Sequence, residues 1–384
     1  MILFQFWKIA FFLLICFTGC MRQSAVIKPV EPIRTLPQLN EYRQKGLVPK
    51  KIDRIYCSGG TLRLAVYLEC ADKVVAVDTH EHQEHGRSSK KAYLAAHPEF
   101  YDMPIGGEKR GKDNPETLLN LKILPQLIIK ADDGGYDPVE LTKRTGIPVL
   151  LIPLRSITAD RKEFDSGLRL MGSALGKSER AEAVLEFFYR EMTEIKLRIK
   201  NKKPPEDSKP LAYVGGVSYS GSHAFNSTEA GYPPFVIAEV NNPVKENDSI
   251  IGKRQIMISK EKIIEWNPDI LFLDLATLYL GEASGLTELR TDPAYRSLKA
   301  VKENKVFTLL PNNFYFENHD AVLVNAWFVA KTMYPEQFTD IDPKKKADEI
   351  FTFLVGKPVF EQLNAELNNL ALEQLLIPSI INTD

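Results

Sequence analysis

The chain has 384 residues, 44% of them hydrophobic and 26% charged, with a formal net charge of −1. That length leaves room for two domains, each with a substantial core. The balanced charge gives no basis for a nucleic-acid partner, and the ordinary composition points to a folded, soluble protein.

Residues 1–20, MILFQFWKIAFFLLICFTGC, place Lys8 ahead of an apolar run from Ile9 to Phe17 and end in Thr18-Gly19-Cys20. The run has the length of a secretory h-region and is short for a membrane span. Small residues before a cysteine resemble a bacterial lipobox, in which Cys20 is diacylated and becomes the first residue of the mature chain. Phe17 departs from the usual Leu of that motif. An uncleaved anchor is the alternative, and both readings put the remainder outside the cytoplasm. Residues 21–49 hold four prolines and no periodicity, which predicts a tether. Cys57 and Cys70 fall near opposite ends of a predicted helix, too far apart for a disulfide, and are expected to be buried thiols.

From residue 50 strands and helices alternate. Ile52–Tyr56 reads as a strand, Cys57-Ser58-Gly59-Gly60-Thr61 as a tight turn, Leu62–Glu69 as a helix, and Val74–Asp78 as a strand buried on both faces. Helix Asn114–Leu124, strand Leu127–Lys130, helix Pro138–Thr145 and strand Pro148–Ile152 follow. The alternation predicts a mainly parallel α/β lobe over 50–176. Apolar residues at Ala181, Val184, Leu185, Phe188, Met192, Ile195 and Ile199 then mark one face of a long helix, 177–202. Beyond it, over 208–384, the order recurs. Strand Pro210–Val214 runs into Gly215-Gly216, helix Ser259–Trp266 precedes strand Ile270–Asp274, and helix Tyr295–Val301 precedes strand Val306–Leu310. Helices at about 319–333, 343–355 and 358–375 close the chain. The long helix is therefore expected to be a rigid spine between two related α/β lobes.

The first strand, glycine turn and helix leading to VVAVD, then WNPDILFLD, LKAVKENKVFTLLP and MYPEQF, resemble the extracytoplasmic binding proteins of ABC importers. The resemblance is to the class with one helical backbone between lobes, which takes up ferric siderophores, haem and cobalamin. It covers roughly residues 50–355. It implies a ligand held between the lobes, an iron chelate as cargo with no resident cofactor, delivery to an ABC permease and its ATPase, and a monomer without bond-making chemistry. It also implies that an exposed acid on each lobe docks the permease, and Glu116 and Glu261, both early in a helix, fit that role; a first-turn acid also simply suits the helix dipole.

In parallel sheets ligand groups gather beyond the carboxyl ends of strands. The segment Thr79-His80-Glu81-His82-Gln83-Glu84-His85 follows such an end and concentrates half the chain's six histidines. Imidazole suits transition metals, which makes His80, His82 and His85 candidate metal contacts; the other reading is a solvated loop. Thr79 in the same segment, and Ser58, Tyr219, His223, Tyr315 and Phe316 after other strands, are candidate ligand contacts, through phenolate oxygen or ring stacking for the aromatics. Tyr213, inside a strand, is expected in the core, and His319 is expected to cap a helix. Lys344–Lys346 reads as a solvated helix start. No nucleophile elbow, Cys/His pair or phosphate loop occurs. A cobalamin or free-cation receptor of the same fold and a secreted metal-dependent hydrolase using His80 and His82 remain as alternatives.

Overall fold

The computed structural model of the chain describes residues 31–82, 90–201, 209–219, 221–245, 255–313 and 315–377. Cys20, the signal sequence and His85 lie outside the described residues. Part of the predicted tether belongs to the first lobe. Ile33 bridges to Leu150, and helix α1, Leu36–Gln44, buries Leu39. Thr35 caps this helix and Pro37 stands in its first turn, where a missing N–H leaves no bond unmade. A proline read as a linker residue is thus a helix start.

The first sheet is built from β1 (Ile55–Ser58), β2 (Val74–Asp78), β3 (Ile105–Glu108), β4 (Lys112–Asp113), β5 (Leu127–Ala131) and β6 (Val149–Ile152), in the order β4-β3-β2-β1-β5-β6. All neighbours are parallel except the β3–β4 hairpin. Helices α2 (Leu62–Tyr67), α3 (Ala92–Ala96), α4 (Pro115–Leu119) and α5 (Pro138–Thr145) connect these strands. Helix α4 stops at Leu119 and not at Leu124, with Asn120 as its C-cap. Ile123 and Leu124 consequently lie exposed in a loop.

Helix α6 (Arg161–Leu175) leads into α7 (Ser178–Asn201), whose 24 residues span about 36 Å. Every apolar position predicted for its inner face is buried, and Phe187 adds a stacked contact with Phe353. The second lobe carries β7 (Ala212–Gly215), β8 (Ser227–Thr228), α8 (Pro233–Ile237), β9 (Ile256–Met257), α9 (Lys260–Trp266) and β10 (Ile270–Asp274). It continues through α10 (Gly285–Thr291), α11 (Pro293–Arg296), α12 (Lys299–Lys302), β11 (Val306–Leu309), α13 (His319–Met333), α14 (Pro343–Val355), α15 (Phe360–Glu366) and β12 (Gln374–Leu375). Its main sheet runs β12-β11-β10-β7, with only β12 antiparallel. The helix predicted over 358–375 ends early because Asn368, Asn369 and Leu372 adopt positive φ, which no α-helix accommodates.

The spine does not join the lobes alone. One continuous apolar cluster runs from the first sheet through α6, α7 and α13 into the second lobe. Helix α13 is apolar nearly all round and buries all but two of its 15 residues, as expected of a helix packed on every side. His319, at its start, is not a cap. It is fully buried, its ring lies 4.6 Å from that of Phe164, and its Nε2–H donates to the Arg155 carbonyl at 3.0 Å.

Candidate functional site

The carboxyl ends of the strands in both lobes face a common cleft of about 550 Å³. The first lobe contributes His80, Lys109, Arg110, Asp133, Leu154 and Arg155; the second contributes Ser218, Tyr219, Gly221, Asn313, Tyr315 and Phe316. The two walls differ in chemistry. One carries three cations together with the Asp133 carboxylate and the His80 ring, and the other carries rings and neutral polar groups.

The cations are not equivalent. Arg155 is gripped by Asp132 in a bidentate pair at 2.7 and 2.9 Å, with Glu163 at 3.4 Å, so its charge is largely balanced on the spot. Lys109 and Arg110 stand exposed on the β3–β4 turn and make no ion pair among the described residues. Their backbone is held instead. Lys109 N donates to Thr79 Oγ1 at 3.0 Å, Arg110 N donates to the Tyr315 hydroxyl at 2.9 Å, and Gly111 O accepts from Lys130 Nζ and Tyr136 N.

In the second wall, the loop that carries Asn313, Tyr315 and Phe316 reaches into the first lobe. Tyr315 and Phe316 both have left-handed φ, 56° and 67°, a conformation that costs a side-chain-bearing residue about 1–2 kcal/mol. Arg63, fully buried on α2, holds them there. Its guanidinium donates to the carbonyls of Tyr315 and Glu317 and to Asn318 Oδ1 at 2.9 Å. The Glu317 carboxylate accepts from Ile157 N at 3.1 Å, and the Phe316 ring fills the space where a Cβ on Gly60 would sit. Gly60 is thus a glycine because the opposite lobe packs on it.

Asp78, at the end of β2, ties this together. Its carboxylate accepts from His80 N at 2.8 Å and from the Tyr315 hydroxyl, while the His80 ring lies 4.0 Å from the Tyr315 ring. Burial, with Asp78 and Glu81 beside it, holds the Tyr315 phenol well above its ordinary value, so it stays protonated. Beneath lies Glu81, pushed well above the usual carboxylate range by burial and by Asp78, and hydrogen-bonded to Tyr93 at 3.1 Å. Burial lowers the neighbouring Lys91 ammonium to about 7.

The predicted residues fall into distinct places. His80, Tyr219, Tyr315 and Phe316 line the cleft. Thr79 supports the cationic turn from below, and His223 sits behind Tyr219, its Nε2–H donating to the Tyr219 carbonyl at 2.9 Å. His82 is half-buried beyond the lining. Ser58 departs from expectation: it is fully buried and donates to Asp113, which also accepts from Tyr56 at 3.0 Å and pairs with Lys130 at 2.7 Å. Its side chain is covered because β1 runs to Ser58 and, lying between β2 and β5, is buried on both faces. Tyr213 is core, as expected, and Cys57 and Cys70 are buried free thiols. Glu116 is exposed with Arg144 at 3.3 Å, and Glu261 is exposed in the first turn of α9. Lys109, Arg110, Arg155 and Arg63 were not singled out from the sequence; the Gly-rich, charged run Gly106–Lys112 was the one available signal.

The family model described as periplasmic binding protein matches residues 56–312. The molybdate-binding protein MolA of Haemophilus influenzae is 23% identical over 345 residues, covering 80% of this chain and 87% of that protein. The iron-uptake system-binding protein of Bacillus subtilis is 29% identical over 216 residues, covering 54% and 62%. Among solved structures, molybdate-bound MolA superposes with a TM-score of 0.62 at 19% identity, over 81% of this chain and 94% of that one.

Proposed function

The chain belongs to the periplasmic binding protein family, extracytoplasmic solute receptors of ABC importers, and on that premise we propose that its cleft captures an anionic iron chelate and delivers it to a permease. The relatives bind metal-related solutes and are not enzymes, which sets the hydrolase reading aside.

The observation that carries the proposal is the pairing of two uncompensated cations, Lys109 and Arg110, with a ring-lined wall across a cleft of about 550 Å³. That volume lies in the range of sites that enclose a drug-sized ligand. Cations suit carboxylates or catecholates at the rim of a chelate, and Tyr219 and Phe316 suit its flat faces. A bare divalent cation is disfavoured by the same charges. Molybdate is the second reading, supported by the likeness to MolA. A tetrahedral oxyanion occupies the space of only two or three waters, each about 30 Å³, so it would leave most of the cleft unfilled.

Three further parts complete the proposal. His80, which lines the cleft among the described residues, is taken as a ligand contact. Glu116 and Glu261 are the exposed acids offered to the permease. Diacylated Cys20 is the membrane anchor. Calorimetric titration with ferric tricatecholate, ferric citrate, haem, a neutral ferric trihydroxamate, cobalamin, molybdate and Zn²⁺ tests the reading. An anionic ferric chelate should bind at least tenfold more tightly than the trihydroxamate; preference for molybdate, Zn²⁺ or cobalamin would overturn it.

A further inference from the structure

Tyr315 belongs to the second lobe by chain position and to the first by its contacts. Its hydroxyl donates to the Asp78 carboxylate and accepts the Arg110 N–H at 2.9 Å. Arg110 and its neighbour Gly111 both have positive φ, 62° and 66°, and Arg110 carries a side chain into a region that favours glycine. Such a turn is disfavoured by itself and must be held by its surroundings. Thr79, Lys130 and Tyr136 hold it from within the first lobe, on Lys109 N and Gly111 O. The hold on Arg110 N comes from across the cleft.

We infer that Tyr315 is a positioning residue whose hydroxyl fixes the Lys109–Arg110 turn in its ligand-facing form, so that contact between the lobes and assembly of the cationic site are one event. The inference rests on the reading of that turn as the anion-binding element. The phenol is suited to the task and poorly suited to binding metal. Its one proton is used on Asp78 and a lone pair on Arg110. Arg63 supplies the rigidity, since it clamps the Tyr315 carbonyl and the two residues that follow Phe316. By linkage, an anion that tightens the turn tightens the lobe contact by the same factor, and loss of the contact weakens the anion.

Tyr315→Phe keeps the ring, its place against His80 and the backbone conformation, and deletes the hydroxyl alone. Hydrogen exchange on the unliganded protein, read on peptides covering 106–113 and 127–131, should show the Arg110 amide exchanging at least tenfold faster while β5 is unchanged. Equal protection in both proteins would overturn the inference. Titration with ferric tricatecholate supplies a second arm through a double-mutant cycle. Tyr315→Phe should weaken binding about tenfold in the wild-type background, the loss of roughly one supporting bond, and less than threefold in the Arg110→Ala background. Equal losses in both backgrounds would make Tyr315 an ordinary wall residue and overturn its positioning role. If the wild-type protein binds no ferric tricatecholate, the ligand reading fails by itself, and the exchange measurement alone decides the role of Tyr315.

Discussion

Replacing Arg63 is the sharpest mechanical test of how the two lobes meet. The guanidinium is fully buried and donates to three acceptors on the second lobe: the carbonyls of Tyr315 and Glu317 and the Asn318 side chain. Arg63→Ala removes these three bonds and the Nε–H bond to the Gly60 carbonyl at 3.1 Å, at about 1 kcal/mol each, with more lost for any acceptor that stays covered. The left-handed pair Tyr315–Phe316 relaxes only by withdrawing from Asp78 and from the space above Gly60, so little of its strain returns. The expected net loss is about 3–4 kcal/mol, which for a chain of 384 residues lowers the melting temperature by about 4–5 °C. Arg63→Lys keeps the charge but not the planar fork, and should lose about half as much. Differential scanning calorimetry of the ligand-free protein gives both values. A melting temperature within 1 °C of wild type for Arg63→Ala would refute the view that these buried bonds hold the loop.

Other outcomes follow from the same physics. Replacing His80, His82 and His85 together by Ala should weaken chelate binding about ten- to a hundredfold, the loss of one charged or metal-bound contact or more, with little change in melting temperature; unchanged affinity would remove these histidines from ligand contact. Asp274 is fully buried, and burial raises its carboxyl to about 7. The folded state therefore holds a proton that the unfolded state releases near pH 4, so this group's contribution falls as pH rises from about 4 to 7 and is flat above, by at most about 1.4 kcal/mol per pH unit. Denaturant melts of Asp274→Asn should lack that fall, and parallel pH profiles for the two proteins would contradict it. Cys20→Ser should release the protein from membranes, because two acyl chains are what stable anchoring requires. Membrane fractionation after proven signal cleavage would contradict the lipid anchor.

The strands and the spine were legible because their signals are local. VVAVD and ILFLD are continuous apolar runs, and the three- and four-residue spacing from Ala181 to Ile199 admits only a helix. The cleft's position followed from the strand ends, and Tyr219, Tyr315, Phe316 and His80 were found there for that reason. What was missed depends on partners distant in sequence. Arg63 reads as an ordinary surface residue of a short helix until the loop some 250 positions later covers it. Lys109 and Arg110 drew no reading, since charge on a Gly-rich hairpin looks the same whether or not a second lobe faces it. Ser58 was misplaced because it was read as part of the glycine turn, whereas β1 runs on to Ser58 and is buried throughout. His319 was read as a cap from its place at a helix start, whereas its neighbours Phe164 and Arg155 lie on other elements.

The claim that the cleft recognises an anionic iron chelate through the β3–β4 turn is tested most directly by one titration series. Ferric tricatecholate is titrated into wild type and the Lys109→Ala/Arg110→Ala double variant at low and high salt. Arg110 already occupies the left-handed region, so Ala there adds no new backbone strain. The variant is expected to bind about a hundredfold more weakly at low salt, roughly tenfold for each exposed charged contact. The gap should narrow as salt shortens the screening length from about 10 Å at 0.1 M toward 3 Å at 1 M. Affinities within twofold of each other at both salt concentrations would contradict the account.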